Sequence, residues 1–268
     1  MTGSVRTVAT LLRHAWARHR VPLLPIALAI GLFQFLLTRL VPAPNEVNWM
    51  GSLFAMLPEQ MRTLIGNDVA LTPGGFLALG YSHPFFILLL SAWIVRVSAT
   101  AIAGEVGTGT MDVLASRPAA RWTFLMAGMK AVLLGLAVIV GAAWLGTAIG
   151  LRVRPVGITG TSLLPIAAIA WLLFAAFGAI GLLISASHRD AGPAIGWTTA
   201  VIAGSFVLDY LARLWSPIAR LRPLSLFRYY EPQAIVASGT PAHVVVILVL
   251  TTVAALLAGL AILARRDL

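Results

Sequence analysis

Six apolar runs, each near or above the ~20 residues that cross a bilayer as a helix, recur at roughly 21–41, 78–104, 123–149, 162–186, 193–212 and 243–264. Charged residues gather in the islands between them. An even number of crossings puts both chain ends on one side. The second run is long and carries Pro84 and Arg96, which predicts a kink near the end where it begins and an arginine that snorkels toward the other surface. Ahead of the first run, residues 5–20 form a different pattern. On a helical wheel Val5, Val8, Leu12, Ala15 and Trp16 share one side, and Arg6, Arg13 and Arg20 recur every seven residues along a flank. That spacing predicts an amphipathic helix lying in a membrane interface. It is unlike the short basic start of a cleaved signal, so the N-terminus is expected to be retained.

Two inter-run segments are too long for turns and too apolar to float free. The first, about 42–76, holds an amphipathic stretch over 50–66 interrupted by Pro58. The second, about 213–242, carries Trp215, Phe227, Tyr229 and Tyr230, residue types suited to an interfacial belt. Both are expected to be half-buried. Gly128, Gly135, Gly141 and Gly146 in the third run, and Gly178-Ala179-Ile180-Gly181 in the fourth, are read as places of close helix contact.

The polar island from Glu105 to Arg121 organises the remainder. Gly107 and Gly109 loosen the helix arriving from upstream, Thr110 suits a new N-cap, and Asp112 suits the positive end of the first turn. Pro118 ends the new helix. The resulting two turns, 111–116, are too short to be stable alone, so they are expected to lie across something that holds them. Met111, Leu114 and Ala115 share one face of it. By the residues alone, a docking element and a loop resting on lipid headgroups remain equal alternatives.

Composition narrows the class. With 59% hydrophobic and 10% charged residues among 268, and a mean hydropathy of +0.93, the chain is a polytopic membrane protein. Its net charge of +10 comes from arginines spread among the ends of apolar runs, which points to anionic lipid headgroups and away from nucleic acid. Without cysteine there is no disulfide, thiolate ligand or cysteine nucleophile. The histidines, His14, His19, His83, His188 and His243, are scattered, so no metal site is expected. Lys130 is the only lysine and no phosphate-binding loop is present, so ATP chemistry in this chain is not expected. The Gly-Thr-Gly-Thr at 107–110 lacks the preceding strand and the following basic residue of such a loop. Acidic residues are nearly absent from the runs. Only Asp209 dips in, with Arg213 one turn later as an (i, i+4) partner.

Glu105, Gly109, Thr110, Pro118 and Arg121, followed by Lys130, resemble the pattern at the cytoplasmic end of the second span in ABC-2 type permeases, the membrane subunits of ABC exporters. Val106, Met111 and Ala120 depart from that pattern. The resemblance implies an all-α integral membrane protein of the ABC-2, type V exporter-like kind. It would be a single permease domain over 1–268 with six transmembrane helices, an N-terminal amphipathic interfacial helix, a short cytoplasmic coupling helix between spans 2 and 3, and outer re-entrant helices before span 6. Leu224 to Tyr230 look similar to the re-entrant element. The resemblance further implies that Glu105, Gly109, Thr110, Met111, Asp112, Leu114, Arg117, Pro118 and Arg121 form the ATPase-coupling element. It implies two copies of an ABC ATPase subunit as partners, which hold the ATP and magnesium, and a second permease copy or a related permease. It also makes the protein multi-pass in the cytoplasmic membrane with both termini cytoplasmic. The charge balance is close, with ten Lys and Arg residues at the Glu105 end and eight at the other, and the resemblance decides it.

The expected function is ATP-driven export of a hydrophobic or amphipathic cargo such as a drug or lipid, which Phe33, Phe35, Trp171, Phe174, Phe177 and Trp197 suit, though the same residues equally suit lipid. An ion-coupled transporter or channel, an intramembrane enzyme, and a non-transporting membrane anchor for an ATPase are the competing classes. The missing intramembrane carboxylates and the lack of an inverted repeat count against the first. The lack of a paired-carboxylate, Ser-His or metal set counts against the second. The topology predicts that single cysteines at Ser116, Gly157, Ser187 and Ser238 report inner, outer, inner and outer positions to an impermeant thiol reagent. Labelling of position 116 from outside overturns it.

Overall fold

The computed structural model describes residues 2–41, 72–110 and 122–265, with residues 52, 55, 56, 58 and 62 between the first two stretches and side chains from Arg20 onward. Among the described residues every regular element is helical, and six helices are long and apolar enough to cross a membrane. The chain is an all-α integral membrane protein.

The first span belongs to a helix, α1 (Thr2–Arg39), that runs unbroken from the amphipathic start. Sequence reasoning separates these at about residue 20. Pro22 and Pro25 each remove a helical N–H donor there, yet the backbone continues through both. The side chains of Arg6, Val8, Leu12, Arg13 and Trp16 lie outside the described residues, and Arg20 is exposed.

The second span is broken, as Pro84 foretells. α2 (Pro73–Ser82) begins at Thr72, whose hydroxyl accepts from the Gly75 amide at 3.0 Å, and the chain leaves the helix at His83. α3 (Pro84–Thr100) starts with proline at its first position, and the His83 ring caps it through Nδ1, which accepts from the Phe85 amide at 3.2 Å. The span therefore starts at Pro73, five residues before the apolar run at 78, because the Thr72 cap and Pro73 nucleate the helix ahead of it. A five-residue helix, α4 (Ala103–Gly107), follows.

The third span is α5 (Trp122–Val153). The fourth, α6 (Leu164–Ser187), is entered through a 3-10 turn at Gly160–Leu163. The fifth is α7 (Ala191–Leu214), and the sixth is α9 (Ala242–Arg265), preceded by the short α8 (Pro232–Ser238). The fourth span is the central one: 72% of its most apolar stretch is buried, against 17% for the fifth and sixth.

Small residues set how closely the spans approach. A Cβ on Gly146 would fall 2.0 Å from the Gly31 carbonyl oxygen, and one on Gly150 would fall 2.1 Å from the Thr38 hydroxyl, so the first and third spans meet backbone to backbone. Gly135 makes room for the Trp93 indole, Gly178 for Val132, and Gly181 for Ser98. Gly141 has no such neighbour, and its expected packing role is corrected. Phe174 and Phe177 are buried around Phe227 and build the core. Phe227 and Tyr230 are buried as well, while Trp215 is exposed as an interfacial residue would be.

Gly146→Ala is expected to destabilise the protein by about 1–3 kcal/mol through overpacking against Gly31. Gly141→Ala, which meets nothing, is expected to be neutral or slightly stabilising. Thermal unfolding of the two variants in detergent checks the contrast, and equal midpoints would show that the first and third spans are not in backbone contact.

Candidate functional site

The second span ends on a defect that another span repairs. Past Thr100 the helix loosens for two residues before α4 begins, which frees backbone groups where Ile102 and Ala103 are fully buried in the protein. The Ser185 hydroxyl, from the end of the fourth span, accepts from the Ile102 and Ala103 amides at 3.1 and 3.0 Å and donates to the Ala99 carbonyl at 2.8 Å. One fully buried hydroxyl thus uses its donor and both lone pairs to fix the joint.

From this joint the chain reaches the polar island in a fixed posture. Glu105 is buried, at 8% exposure, and accepts a hydrogen bond from the Thr110 hydroxyl on its carboxylate. The same hydroxyl lies 3.1 Å from the Glu105 carbonyl oxygen and 2.8 Å from the Thr108 hydroxyl, which also donates to the Gly104 carbonyl at 2.9 Å. Gly109 sits at φ +71°, the left-handed region that a side chain disfavours. Gly107 passes close to the link between the fourth and fifth spans: a Cβ there would lie 3.3 Å from both the Arg189 carbonyl oxygen and an Asp190 carboxylate oxygen.

Glu105, Gly109 and Thr110 are therefore brought together in one knot. Met111, Asp112, Leu114, Arg117, Pro118 and Arg121 lie outside the described residues, as do the amides that Thr110 is expected to cap. Lys130 is exposed on the third span. Sequence reasoning missed Ser185. Its one signal was a hydroxyl near the end of an otherwise apolar run, which ordinary interfacial serines share.

The opposite end carries a second polar assembly. After the fifth span the chain runs through 3-10 turns at Ser216–Leu224 and Leu226–Tyr229 and folds back along α7. Ser225 donates to the Ser205 carbonyl at 2.6 Å and the Leu226 amide donates to the Ser205 hydroxyl at 3.0 Å, nine residues and so about 14 Å back from Leu214. The segment before the sixth span is re-entrant. Asp209 pairs with Arg213 at 2.8 Å, as its spacing predicts, but also with Arg222 at 2.8 Å, and Glu231 closes the ring by pairing with both arginines. Burial works against the charge on Arg222, but hydrogen bonds and the fields of Asp209 and Glu231 more than offset it, so its pKa lies above the ordinary arginine value. Burial pushes the Tyr230 phenol well above its usual pKa and nearby Tyr81 adds to this. The phenol stays protonated and donates to the Tyr81 carbonyl at 3.0 Å.

The architecture is that of a polytopic membrane protein: six candidate spans, a broken second span ending in a pinned polar knot, and a segment before the last span that folds back along the fifth. The family model described as ABC-2 family transporter protein matches residues 26–268, and the chain belongs to that family. A search of curated proteins finds no match. The protein is a multi-pass membrane permease, and permeases of this family work with an ABC ATPase subunit.

Ser185→Ala should leave the Ile102 and Ala103 amides unpaired at a cost of about 1–3 kcal/mol. The expected result is faster hydrogen exchange at residues 101–107 with protection of the third span unchanged, read by exchange mass spectrometry. Unchanged exchange at 101–107 would show that the hydroxyl does not hold the joint.

Proposed function

We propose that this chain is the transmembrane subunit of an ATP-driven exporter that moves a hydrophobic or amphipathic cargo outward across the cytoplasmic membrane. The observation that carries this reading is the pinned joint at Ala99–Thr110. A rigid link from the core of the fourth span, through Ser185, to the start of the 111–121 segment is what a force applied to that segment needs in order to move the second span.

In this reading the Glu105 end faces the cytoplasm with both termini. Two ABC ATPase subunits bind beneath two permease chains, either two copies of this one or this one with a related permease, and ATP and magnesium are held by the ATPase alone. Met111 and Leu114 enter a groove on the ATPase, Asp112 or Arg117 pairs at its rim, and a bridge between Glu105 and Arg121 holds the angle of the short helix. Gly109 and Pro118 bound that helix, with Thr110 as its cap. In this reading α1 bends at Pro22 and Pro25, so that residues 5–20 approach the inner interface while the rest of the helix spans.

Apolar anchors outweigh rim charges at such an interface. Leu114→Asp is therefore expected to weaken association with the ATPase roughly five- to hundredfold, the cost of losing a buried anchor. The control Arg220→Glu, an exposed residue at the opposite end, should bind as wild type does. Co-purification and ATP hydrolysis by the complex are the measurements. If Leu114→Asp holds the ATPase as firmly as the control, the coupling assignment is wrong.

A further inference from the structure

The second span carries a charge that nothing described so far uses. Arg96 lies one turn before the end of α3 and is exposed. Among the described residues it has no ion pair: the carboxylates of Asp209 and Glu231 belong to the ring at the other end, that of Glu105 is engaged by Thr110, and that of Asp190 lies beside Gly107. An arginine within a spanning helix faces the interface, a cavity or a partner that compensates its charge.

Arg96 opens onto a groove of about 660 Å³ between the second and fifth spans. Among the described residues it is the only ionisable group in the lining. Leu88, Ala92, Val95 and Ile195 supply an apolar wall, and Leu88 is 66% exposed. Ser91 and Thr100 donate their hydroxyl protons to carbonyls of their own helix, at 2.7 and 2.5 Å, so neither competes with Arg96 as a donor for an incoming anion.

The depth of these groups decides what fits. On the fifth span the groove is lined by Ile195 and Thr199, four and eight residues in from Ala191, hence about 6 and 12 Å from that end of the helix. Arg96 faces this level, near the boundary between headgroups and hydrocarbon. Leu88 lies eight residues earlier on the same helix, about 12 Å deeper. A cation at the boundary with an apolar trough running toward the bilayer centre matches a molecule lying head-out in that leaflet.

We propose that the groove between the second and fifth spans binds a membrane-dissolved amphiphile with an anionic headgroup, the head pairing with Arg96 and the tail lying along Leu88 and Ala92. The guanidinium offers two parallel N–H donors to a phosphate, sulfate or carboxylate, while a cationic head of the same size meets an uncompensated like charge. This names the cargo class of the exporter reading and rests on that reading for the direction of transport, but not for binding.

The test uses the full chain in phosphatidylcholine nanodiscs without any ATPase, with empty discs as the blank. Dodecyl phosphate, dodecyl trimethylammonium and inorganic phosphate are titrated and binding is read by calorimetry. Wild type is expected to bind dodecyl phosphate about ten- to a hundredfold tighter than the ammonium compound, the range of a charge-assisted pair. Arg96→Gln should abolish that preference, Arg96→Lys should keep most of it, and Arg220→Gln should leave it intact. Size-exclusion profiles confirm that the variants are folded. Equal affinity for the two amphiphiles, an Arg96→Gln variant that behaves as Arg220→Gln does, or inorganic phosphate binding as tightly as its alkyl ester would each overturn the proposal. Because no ATPase is present, failure of the coupling assignment leaves this measurement untouched, and the converse holds.

Discussion

A backbone amide released from its helix needs a new acceptor, and where packed protein shuts out water only a side chain can supply one. The whole arrangement depends on that requirement. At the His83–Pro84 break the histidine ring supplies the acceptor. At Ile102–Ala103 it is the Ser185 hydroxyl, and where the re-entrant segment folds back it is Ser205 and Ser225. Ser185 and Ser205 belong to elements distant in sequence from the amides they satisfy, so those two breaks are also cross-ties, whereas His83 and Ser225 cap amides two residues away. The second span is segmented without being loose.

Helix contact follows a different rule. Lipid tails are as apolar as leucine, so spans are held by close packing and not by escape from water. Gly146 against Gly31 and Gly150 against Thr38 bring the first and third spans to backbone distance, and Gly181 against Ser98 does the same for the second and fourth. Ser98 and Ser185 sit on neighbouring helices that those glycines allow to approach. The polar tie at the joint is therefore only as good as the packing around it, which links the core of the fourth span to the Glu105 knot.

Charge is handled oppositely at the two ends. The Asp209, Arg213, Arg222 and Glu231 ring is neutral as a set and ties the fifth span to the segment before the sixth, so it is explained by structure alone. Among the described residues Arg96 has no ion pair, and it faces a groove. A paired charge in such a fold is a fastener, whereas an unpaired one is an invitation to a ligand of opposite sign.

The number, order and approximate limits of the spans were legible in the sequence, because hydropathy over about 20 residues is a local property that the bilayer reads directly. The kink at Pro84 was legible for the same reason, since proline acts on its own helix. So was the Asp209–Arg213 pair, set by helical spacing. Glu105, Gly109 and Thr110 stood out in the sequence too, but not the hydrogen bonds that hold them together. Ser185 beside Ile102, Arg222 and Glu231 closing a ring on Asp209, Tyr230 reaching Tyr81, and the burial of Phe174 and Phe227 all join residues far apart along the chain. No periodicity encodes such contacts. They are decided by which helices the small residues allow to approach, and that exists only once the spans have packed.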